Sequence, residues 1–139
     1  MITIKENQLN TEVYLSLRKA VNWKVLTKGQ ADKAIENCLY NVTAYVDDVP
    51  VGMGRIVGDG AVICYIQDLV VLPGYQQLGI GKQIMRHLID YVEGIREDNT
   101  ELMLCLMCAK GREPFYEKLG FIARPTENLG PGMIMYLNN

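Results

Sequence analysis

The first third of the chain carries apolar residues at helical spacing. They recur every three or four positions from Asn10 or Thr11 to Val21, which predicts a first amphipathic helix. Thr27 and Gln30 then have the spacing of a capping box, so a second helix is predicted to follow them. The pattern therefore predicts that two helices precede the first strand.

Farther along, the pattern changes to the two-residue period of strands. Apolar and polar residues alternate from Val42 to Val46, and a second strand-like run from Pro50 to Val57 follows an Asp-Asp turn. Gly58-Asp59-Gly60 supplies glycines for another tight turn. The β-branched and aromatic residues from Ala61 to Val71 then predict a long central strand. Together these segments predict a three-stranded antiparallel meander.

After Val71 the chain passes through a glycine-containing loop into a long amphipathic helix. The apolar face of this helix comprises Ile80, Ile84, Leu88, Val92 and Ile95. Glu101 to Ala109 is apolar at almost every position, which predicts a strand covered on both faces. Strand, helix and strand would then form one right-handed parallel unit.

The remaining segments are predicted to complete the sheet and its covering helices. Pro114 in a first turn and Gly120 at the end mark a short last helix. Phe121 to Arg124 and Met133 to Leu137 are predicted as further strands. The expected fold class is mixed α/β, a twisted sheet flanked by helices, in one domain over residues 1–139.

Composition and charge narrow the classes of function. The 139 residues are 49% hydrophobic and 22% charged, which is typical of a folded domain, and their formal net charge is −2. No basic field would attract nucleic acid or an anionic membrane, so we expect neither as a partner. The first residues lack the basic-then-apolar order of a signal peptide, which favours a cytoplasmic location.

Cysteine usage argues against a disulfide framework or a metal site. The four cysteines, Cys38, Cys64, Cys105 and Cys108, are predicted to be reduced residues that fill the core. Cys105 and Cys108 form a C-x-x-C, but positions i and i+3 of a strand point to opposite faces. The chain has one histidine, so no metal is expected. Core filling is also expected of the methionines Met53, Met103, Met107, Met133 and Met135, with the lining of a flexible pocket as the alternative for some of them.

The segment Gln76–Lys82, between a predicted strand and a predicted helix, is a candidate anion site. Backbone amides at a helix N-terminus are unpaired, and the helix dipole adds partial positive charge there. Gly79 and Gly81 would let a phosphate approach the backbone closely, with Lys82 at the rim. The spacing matches neither G-x-G-x-x-G nor the Walker loop, which disfavours nicotinamide cofactors and ATP. Taken alone, the two glycines are equally consistent with a tight strand-to-helix turn that binds no anion.

Two flanking motifs make the loop more specific. Gln-x-x-Gly-x-Gly is preceded by Ile66-Gln-Asp-Leu-Val-Val-Leu-Pro-Gly-Tyr and followed by Phe115-Tyr-Glu-Lys-Leu-Gly-Phe. This combination resembles the GNAT family, the GCN5-related N-acetyltransferases, and the resemblance covers Pro50 to Phe121 well. It implies the GNAT-like acyl-CoA N-acyltransferase fold, with acetyl-CoA as cosubstrate.

The resemblance also implies which residues hold the cofactor. The backbone of Leu69, Val70 and Val71 would pair with pantetheine, so that the cofactor acts as an added strand. The pyrophosphate would lie on the loop residues Gln76, Gln77, Leu78, Gly79, Ile80, Gly81 and Lys82. Ala109 and Arg112 are further candidates for cofactor contact, although the asparagine that many family members carry near this point is missing.

Tyr116 matches the family tyrosine that protonates the departing CoA thiolate. A phenol has an ordinary pKa near 10, so it stays protonated at neutral pH until the thiolate appears. The alternative is a ring that only packs under the sheet. Tyr116 is therefore the expected general acid.

Asp68 is the second candidate catalytic residue. Gln67-Asp68 resembles the Glu-Asp pair of glucosamine-phosphate acetyltransferases, with Gln67 in place of a glutamate that could serve as base. Asp68 is expected to orient the substrate or act as the base, and the alternative is a bridge to a buried amide or arginine. Trp23 and Arg55 lie where the family builds its acceptor pocket. The alternatives are a solvated or ion-paired arginine and a tryptophan that caps the core. An aromatic wall beside an acid would suit a small cationic amine.

The expected function is transfer of acetyl from acetyl-CoA to a primary amine of a small molecule, by direct attack in a ternary complex. A covalent acetyl-cysteine route is disfavoured because no cysteine in the motif region has a basic neighbour. The alternative is a non-catalytic sensor of CoA or acyl-CoA, or a dimeric interaction module, so a homodimer stays open. The acceptor itself stays open among metabolite amines, polyamines, arylalkylamines, amino sugars, antibiotics and protein amines.

Overall fold

The computed structural model describes residues 1–138 and contains a five-stranded mixed sheet flanked by helices. In chain order the elements are β1 (Ile2–Glu6), α1 (Thr11–Ala20), α2 (Lys28–Glu36), β2 (Tyr40–Val46), β3 (Val49–Gly58), β4 (Ile63–Val71), a short 3₁₀ turn (Pro73–Tyr75), α3 (Ile80–Ile95), β5 (Met103–Leu106) and α4 (Glu113–Glu117). The strands follow one another in the sheet in sequence order, and β1 to β4 pair antiparallel. The expected fold class is confirmed.

An edge strand that the pattern did not predict precedes the helices. β1 pairs with β2 in a register that runs from Ile2 opposite Val46 to Glu6 opposite Val42. The prediction that two helices precede the first strand is therefore wrong. All five residues of β1 are exposed or half-buried, so its hydrophobic pattern is weak.

Both N-terminal helices have side-chain caps, of which the one at Thr27 was predicted. The Asn10 side chain accepts a hydrogen bond from the Val13 backbone N–H at 2.9 Å. Thr27 and Gln30 form the predicted capping box, with reciprocal side-chain bonds to backbone amides at 3.0 and 2.9 Å. A core cluster on this side of the sheet comprises Leu9, Tyr14, Leu17, Ala31, Met53 and Val70.

α3 packs on the other face of the sheet through its predicted apolar stripe, except for Ile95, which is exposed. Its buried residues are Ile80, Ile84, Met85, Leu88 and Val92. Residues of β3 alternate between the two faces, and two glycines make room for the helix. A Cβ at Gly52 would lie 3.1 Å from the Ile84 side chain of α3, and one at Gly54 would lie 2.9 Å from side-chain carbons of α3. Glycine at these two positions therefore allows the close approach of helix and sheet.

The contacts of the chain divide it into two compact units, Met1–Cys105 and the residues from Leu106 on. In the second unit α4 has Pro114 in its first turn, and Gly120 follows with a φ of 104°. Neither of the two segments predicted as last strands, 121–124 and 133–137, forms a strand, so both predictions are wrong. One domain over the whole chain stays a prediction.

β5 is a further correction. The strand is shorter than the predicted Glu101 to Ala109, and its residues are exposed or half-buried rather than covered on both faces. Apolar composition indicates a preference for burial, but it does not specify the partner that would provide it.

Burial of the sulfur-containing residues differs in part from expectation. Cys64 is buried, Cys38 and Cys105 are half-buried, and Cys108 is exposed, so core filling is wrong for Cys108. Met53 is buried, whereas Met103, Met107, Met133 and Met135 are exposed. Within residues 1–138, no helix has the length and apolar character needed to cross a membrane.

Candidate active site

β4 contains a bulge at Asp68. Met53 of β3 pairs with Val70 and Arg55 pairs with Gln67, so one residue of β3 faces two residues of β4. Asp68 has a φ of 59°, in the left-handed region that aspartate enters more readily than most residues. The regular ladder is therefore interrupted directly before Leu69–Val71, the backbone expected to pair with pantetheine.

The Asp68 side chain accepts three hydrogen bonds from α1 and β3. The Tyr14 hydroxyl and the Arg55 Nε donate to Oδ2 at 2.6 and 2.7 Å, and the Arg18 Nη1 donates to Oδ1 at 2.8 Å. The side chain of Asp68 is 1% exposed, and those of Arg18 and Arg55 are 12% and 11% exposed. The arginine bridge that was the alternative reading of Asp68 is thus present, and a role as base or in substrate orientation stays a prediction.

The electrostatics of this cluster, Tyr14, Arg18, Arg55 and Asp68, leave one positive charge in excess. Burial and the hydrogen bond to Asp68 raise the pKa of the Tyr14 phenol, which stays neutral. Burial acts to lower the pKa of Arg55, but its hydrogen bond to Asp68 and the Asp68 charge outweigh that effect and raise the pKa. Two guanidinium groups therefore face one carboxylate in a mostly buried environment.

Trp23 lies between α1 and α2 beside a cavity of about 130 Å³. The cavity is lined by Leu15, Arg18, Lys19, Trp23, Lys24, Val25 and Leu26. The Arg18 guanidinium lies 5.3 Å from the centre of the Trp23 ring, and its Nη2 donates to the Lys24 carbonyl oxygen at 3.0 Å. Trp23 therefore contributes to a concave site. Arg55 is not among its lining residues and contacts Asp68 instead.

The loop before α3 leaves backbone amides available. Gly79 is the N-cap of α3 with a φ of 81°, and Gln77 also has a positive φ, 65°. No side chain in the described part of the chain caps this helix. The Gln76 Nε2 donates to the Val71 carbonyl oxygen at 3.0 Å, which ties the loop to the end of β4. Because residues 77–79 are exposed, the loop can present amides to an anion.

A second, more open cavity of about 220 Å³ lies on the first turns of α3. It is lined by Lys82, Gln83, Arg86 and His87. Lys82 was expected at the phosphate loop, whereas Arg86 was missed, although its i+4 spacing from Lys82 could have indicated it. Tyr14 and Arg18 were also missed, because their partner Asp68 lies 54 and 50 residues away in the chain.

Tyr116 lies on α4 and is half-buried between two aromatic rings. Its ring makes edge-to-face contacts with Phe115 and Phe121, at centroid distances of 5.0 and 6.0 Å. Burial raises the pKa of the Tyr116 phenol, Cys108 adds to the rise, and Arg112 opposes it. The phenol is therefore protonated at neutral pH, which is the state that a general acid requires.

The other two predicted cofactor residues lie in the turn before α4. Ala109 and Arg112 are both exposed, and the Arg112 backbone N–H donates to the Ala109 carbonyl oxygen at 3.0 Å. Gly111 between them has a φ of 88°. Their contact with a cofactor stays a prediction.

Known proteins are similar to this chain in sequence and in architecture. The profile of the acetyltransferase (GNAT) family matches residues 9–121. A GNAT family protein from Streptococcus pneumoniae is 30% identical with a TM-score of 0.83 over 100% of both chains. A protein of unknown function from meticillin-resistant Staphylococcus aureus is 31% identical with a TM-score of 0.86, over 99% of this chain and 100% of that one.

A relative from Prochlorococcus marinus, an uncharacterized ycf52-like N-acetyltransferase, is longer than this chain. It is 26% identical over 116 residues, which cover 81% of this chain and 62% of that protein. The chain thus spans less than two thirds of this relative's length. The family profile, in contrast, covers most of the chain, from the start of the helical region to the residues after α4. The chain therefore belongs to the GNAT family of acyltransferase enzymes.

Proposed function

We propose that the chain transfers acetyl from acetyl-CoA to the primary amine of a small molecule, by direct attack in a ternary complex. The observation that carries this proposal is the adjacency of the bulged end of β4 and the exposed loop residues 77–79 at the N-terminus of α3. The hydrogen bond from Gln76 to the Val71 carbonyl oxygen connects them. A thioester cofactor with a pyrophosphate needs both a strand edge and a helix N-terminus of this kind.

The end of β4 supplies the strand edge. β4 has nine residues and β5 has four, and the Met103 N–H pairs with the carbonyl of Val62, just before β4 begins. The backbone of Leu69–Val71, at the opposite end of β4, is proposed to pair with pantetheine. The N–H of Leu69 or Val70 would donate a hydrogen bond to the thioester carbonyl oxygen. This hydrogen bond strengthens as negative charge develops on that oxygen during the attack.

The loop and the first turns of α3 supply the phosphate contacts. Amides of residues 77–82 would hold the pyrophosphate at the positive end of the helix dipole. Lys82 and Arg86, one turn apart and both lining the open cavity on α3, would neutralise further phosphate charge. Ala109 and Arg112 remain proposed contributors to cofactor binding.

Asp68 is proposed to act in positioning, because its oxygens already accept bonds from three donors. It holds the bulge of β4 against α1 and β3 and so fixes the backbone beside the thioester. Tyr116 is proposed as the general acid that protonates the CoA thiolate. Catalysis would then rest mostly on orienting the amine and the thioester.

Calorimetric titration with acetyl-CoA tests the proposal. The Gly81→Glu variant places a carboxylate in the first turn of α3, where it would repel the pyrophosphate. At a separation near 4 Å the repulsion is large enough to weaken acetyl-CoA binding by at least about tenfold. A glutamate is compatible with this turn of a helix, so the variant is expected to fold.

Gly94→Glu provides the matched control, since it makes the same substitution near the other end of α3, at an exposed position with open space. It should leave acetyl-CoA affinity unchanged. Equal affinities of wild type and Gly81→Glu would contradict the phosphate site. Tight acetyl-CoA binding without acetyl transfer to any amine would instead favour the non-catalytic sensor. A cytoplasmic location stays a prediction, which imaging of a tagged chain would test.

A homodimer is also proposed, from the exposed apolar residues of the second unit. Large apolar side chains are exposed at Ile122, Leu129, Met133, Ile134, Met135, Tyr136 and Leu137. Residues 133–137 form a contiguous exposed apolar run, which is typical of an interaction surface. We expect light scattering to give twice the chain mass for wild type and a single chain mass for Ile134→Asp/Leu137→Asp. Val62→Asp, at an exposed apolar position outside this segment, should remain dimeric, and a monomeric wild type would exclude the dimer.

A further inference from the structure

We propose that the cavity beside Trp23 binds an anionic group of the acceptor, so that the acceptor is an amine that also carries a carboxylate or a phosphate. This inference rests on the proposed acetyl transfer. It adds an anionic group to the small cationic amine that the sequence suggested. It follows from three observations: the positive charge around the cavity, the pairing of the Asp68 carboxylate with two arginines, and the position of Arg18 between Asp68 and the cavity.

The lining of the cavity is cationic and apolar. Three of its seven residues, Arg18, Lys19 and Lys24, carry positive charge, and none carries negative charge. The others are aliphatic residues and Trp23, whose side chain is partly exposed. A small ligand with an oxyanion and a short apolar body matches this lining in both charge and polarity.

Asp68 cannot compensate this charge or attract a cation. Its carboxylate is already paired with Arg18 and Arg55, and the Tyr14 phenol beside it is neutral. Arg55 offsets the charge of Asp68, so the cluster does not cancel the positive charge that Arg18 already gives to the lining. An excess guanidinium charge in a mostly buried place favours a bound anion nearby.

Arg18 connects the cavity with the site of acetyl transfer. Its Nη1 bonds to Asp68 in the bulge of β4, its Nη2 bonds to the Lys24 carbonyl, and its Nε is buried without a partner among the described residues. The guanidinium is therefore incompletely satisfied by the protein. Only the Arg18 side chain would separate an anion in this cavity from the bulge at Asp68. That bulge directly precedes Leu69–Val71, where the thioester is proposed to bind.

The volume of the cavity limits the ligand. About 130 Å³ corresponds to roughly four water molecules, enough for one carboxylate or phosphate with a short stem. The amine of such a ligand would extend out of the cavity. Large polyamines, which carry several positive charges and no anion, do not match this site.

Trp23 provides a site-specific readout because it is the chain's one tryptophan. Inorganic phosphate and acetate are titrated separately into protein that holds saturating CoA, so that neither anion reports on the pyrophosphate loop. We expect a saturable change in Trp23 fluorescence. A response to phosphate alone indicates a phosphorylated amine as acceptor, and a response to acetate alone indicates a carboxylated one.

Charge reversal at the rim tests the location of the anion. The Lys19→Glu/Lys24→Glu variant should weaken the affinity for the responding anion by at least about tenfold, since four units of charge change beside it. Lys33→Glu, at an exposed position of α2 outside the cavity, should leave that affinity unchanged. Thermal denaturation verifies that each variant is folded.

Two outcomes separate this inference from the proposed function. Absence of a Trp23 response to both anions, with normal acetyl-CoA binding in calorimetry, overturns the anion site and leaves acetyl transfer intact. An equal loss of affinity in Lys33→Glu also overturns the site, because the effect would then be a general one. Failure to bind acetyl-CoA or CoA at all would instead refute the proposed function.

Discussion

Replacing Asp68 with asparagine is expected to lower the free energy of unfolding by about 3–5 kcal/mol, because it leaves two mostly buried guanidinium groups without their counter-charge. Asparagine is nearly isosteric and also tolerates the left-handed conformation that Asp68 adopts. The substitution therefore removes the charge while sparing the backbone of the bulge. Urea denaturation of wild type and Asp68→Asn measures the difference.

Asp32→Asn is the matched control for Asp68→Asn. Asp32 pairs with Lys28 at 2.8 Å, but its side chain is 44% exposed and that of Lys28 is 79% exposed. Pairs in this setting contribute about 0–1 kcal/mol, so the control should lose far less stability. If Asp68→Asn were as stable as Asp32→Asn, the buried cluster would not hold the bulge in the way proposed here.

Local signals in the sequence were sufficient to predict the elements that have strong periodicity or defined turn chemistry. The apolar stripe of α3 and the capping box at Thr27 depend on residues within one element, and both were predicted. The turn Gly58-Asp59-Gly60 was predicted too, and the Asp59 side chain completes it by accepting bonds from three following backbone amides. Such features need no knowledge of distant contacts.

Features that depend on distant partners were missed. β1 exists because β2, some forty residues away in the chain, offers it an edge. The bulge at Asp68 has no local signature, because its left-handed conformation is held by side chains of α1 and β3. The segment 133–137 is apolar enough for a strand, yet it forms no strand in this structure. The hydrophobic pattern of a segment indicates which secondary structure it favours, whereas its contacts with distant segments determine which one it forms.

The loop proposed to hold the cofactor phosphates is marked by local sequence, because it consists of contiguous residues and the motif around it carries the family resemblance. The proposed acceptor side has no such local mark. Its residues Tyr14, Arg18 and Arg55 meet only in the fold, around Asp68. Asp68 is a candidate from the sequence alone, but its two arginine partners become visible only in the fold.

Replacing Tyr116 with phenylalanine is expected to lower kcat by about a hundredfold or more, the usual contribution of a positioned general acid. The affinity for acetyl-CoA should change little. Phenylalanine keeps the ring that contacts Phe115 and Phe121 edge to face, and it removes only the hydroxyl. Steady-state kinetics with an accepted amine, together with calorimetry, separate the two effects.

The pH dependence of kcat gives an independent check on this assignment. The protonated phenol is the active form, so activity would be lost as pH rises through the pKa of Tyr116. Because burial raises that pKa above its ordinary value near 10, deprotonation of Tyr116 should not reduce kcat below about pH 10. Tyr136→Phe is the matched control, because it removes a phenol hydroxyl at a position of the same unit that is 76% exposed. Its kcat should equal that of wild type. An undiminished kcat in Tyr116→Phe would assign the ring to packing alone and leave protonation of the thiolate to solvent.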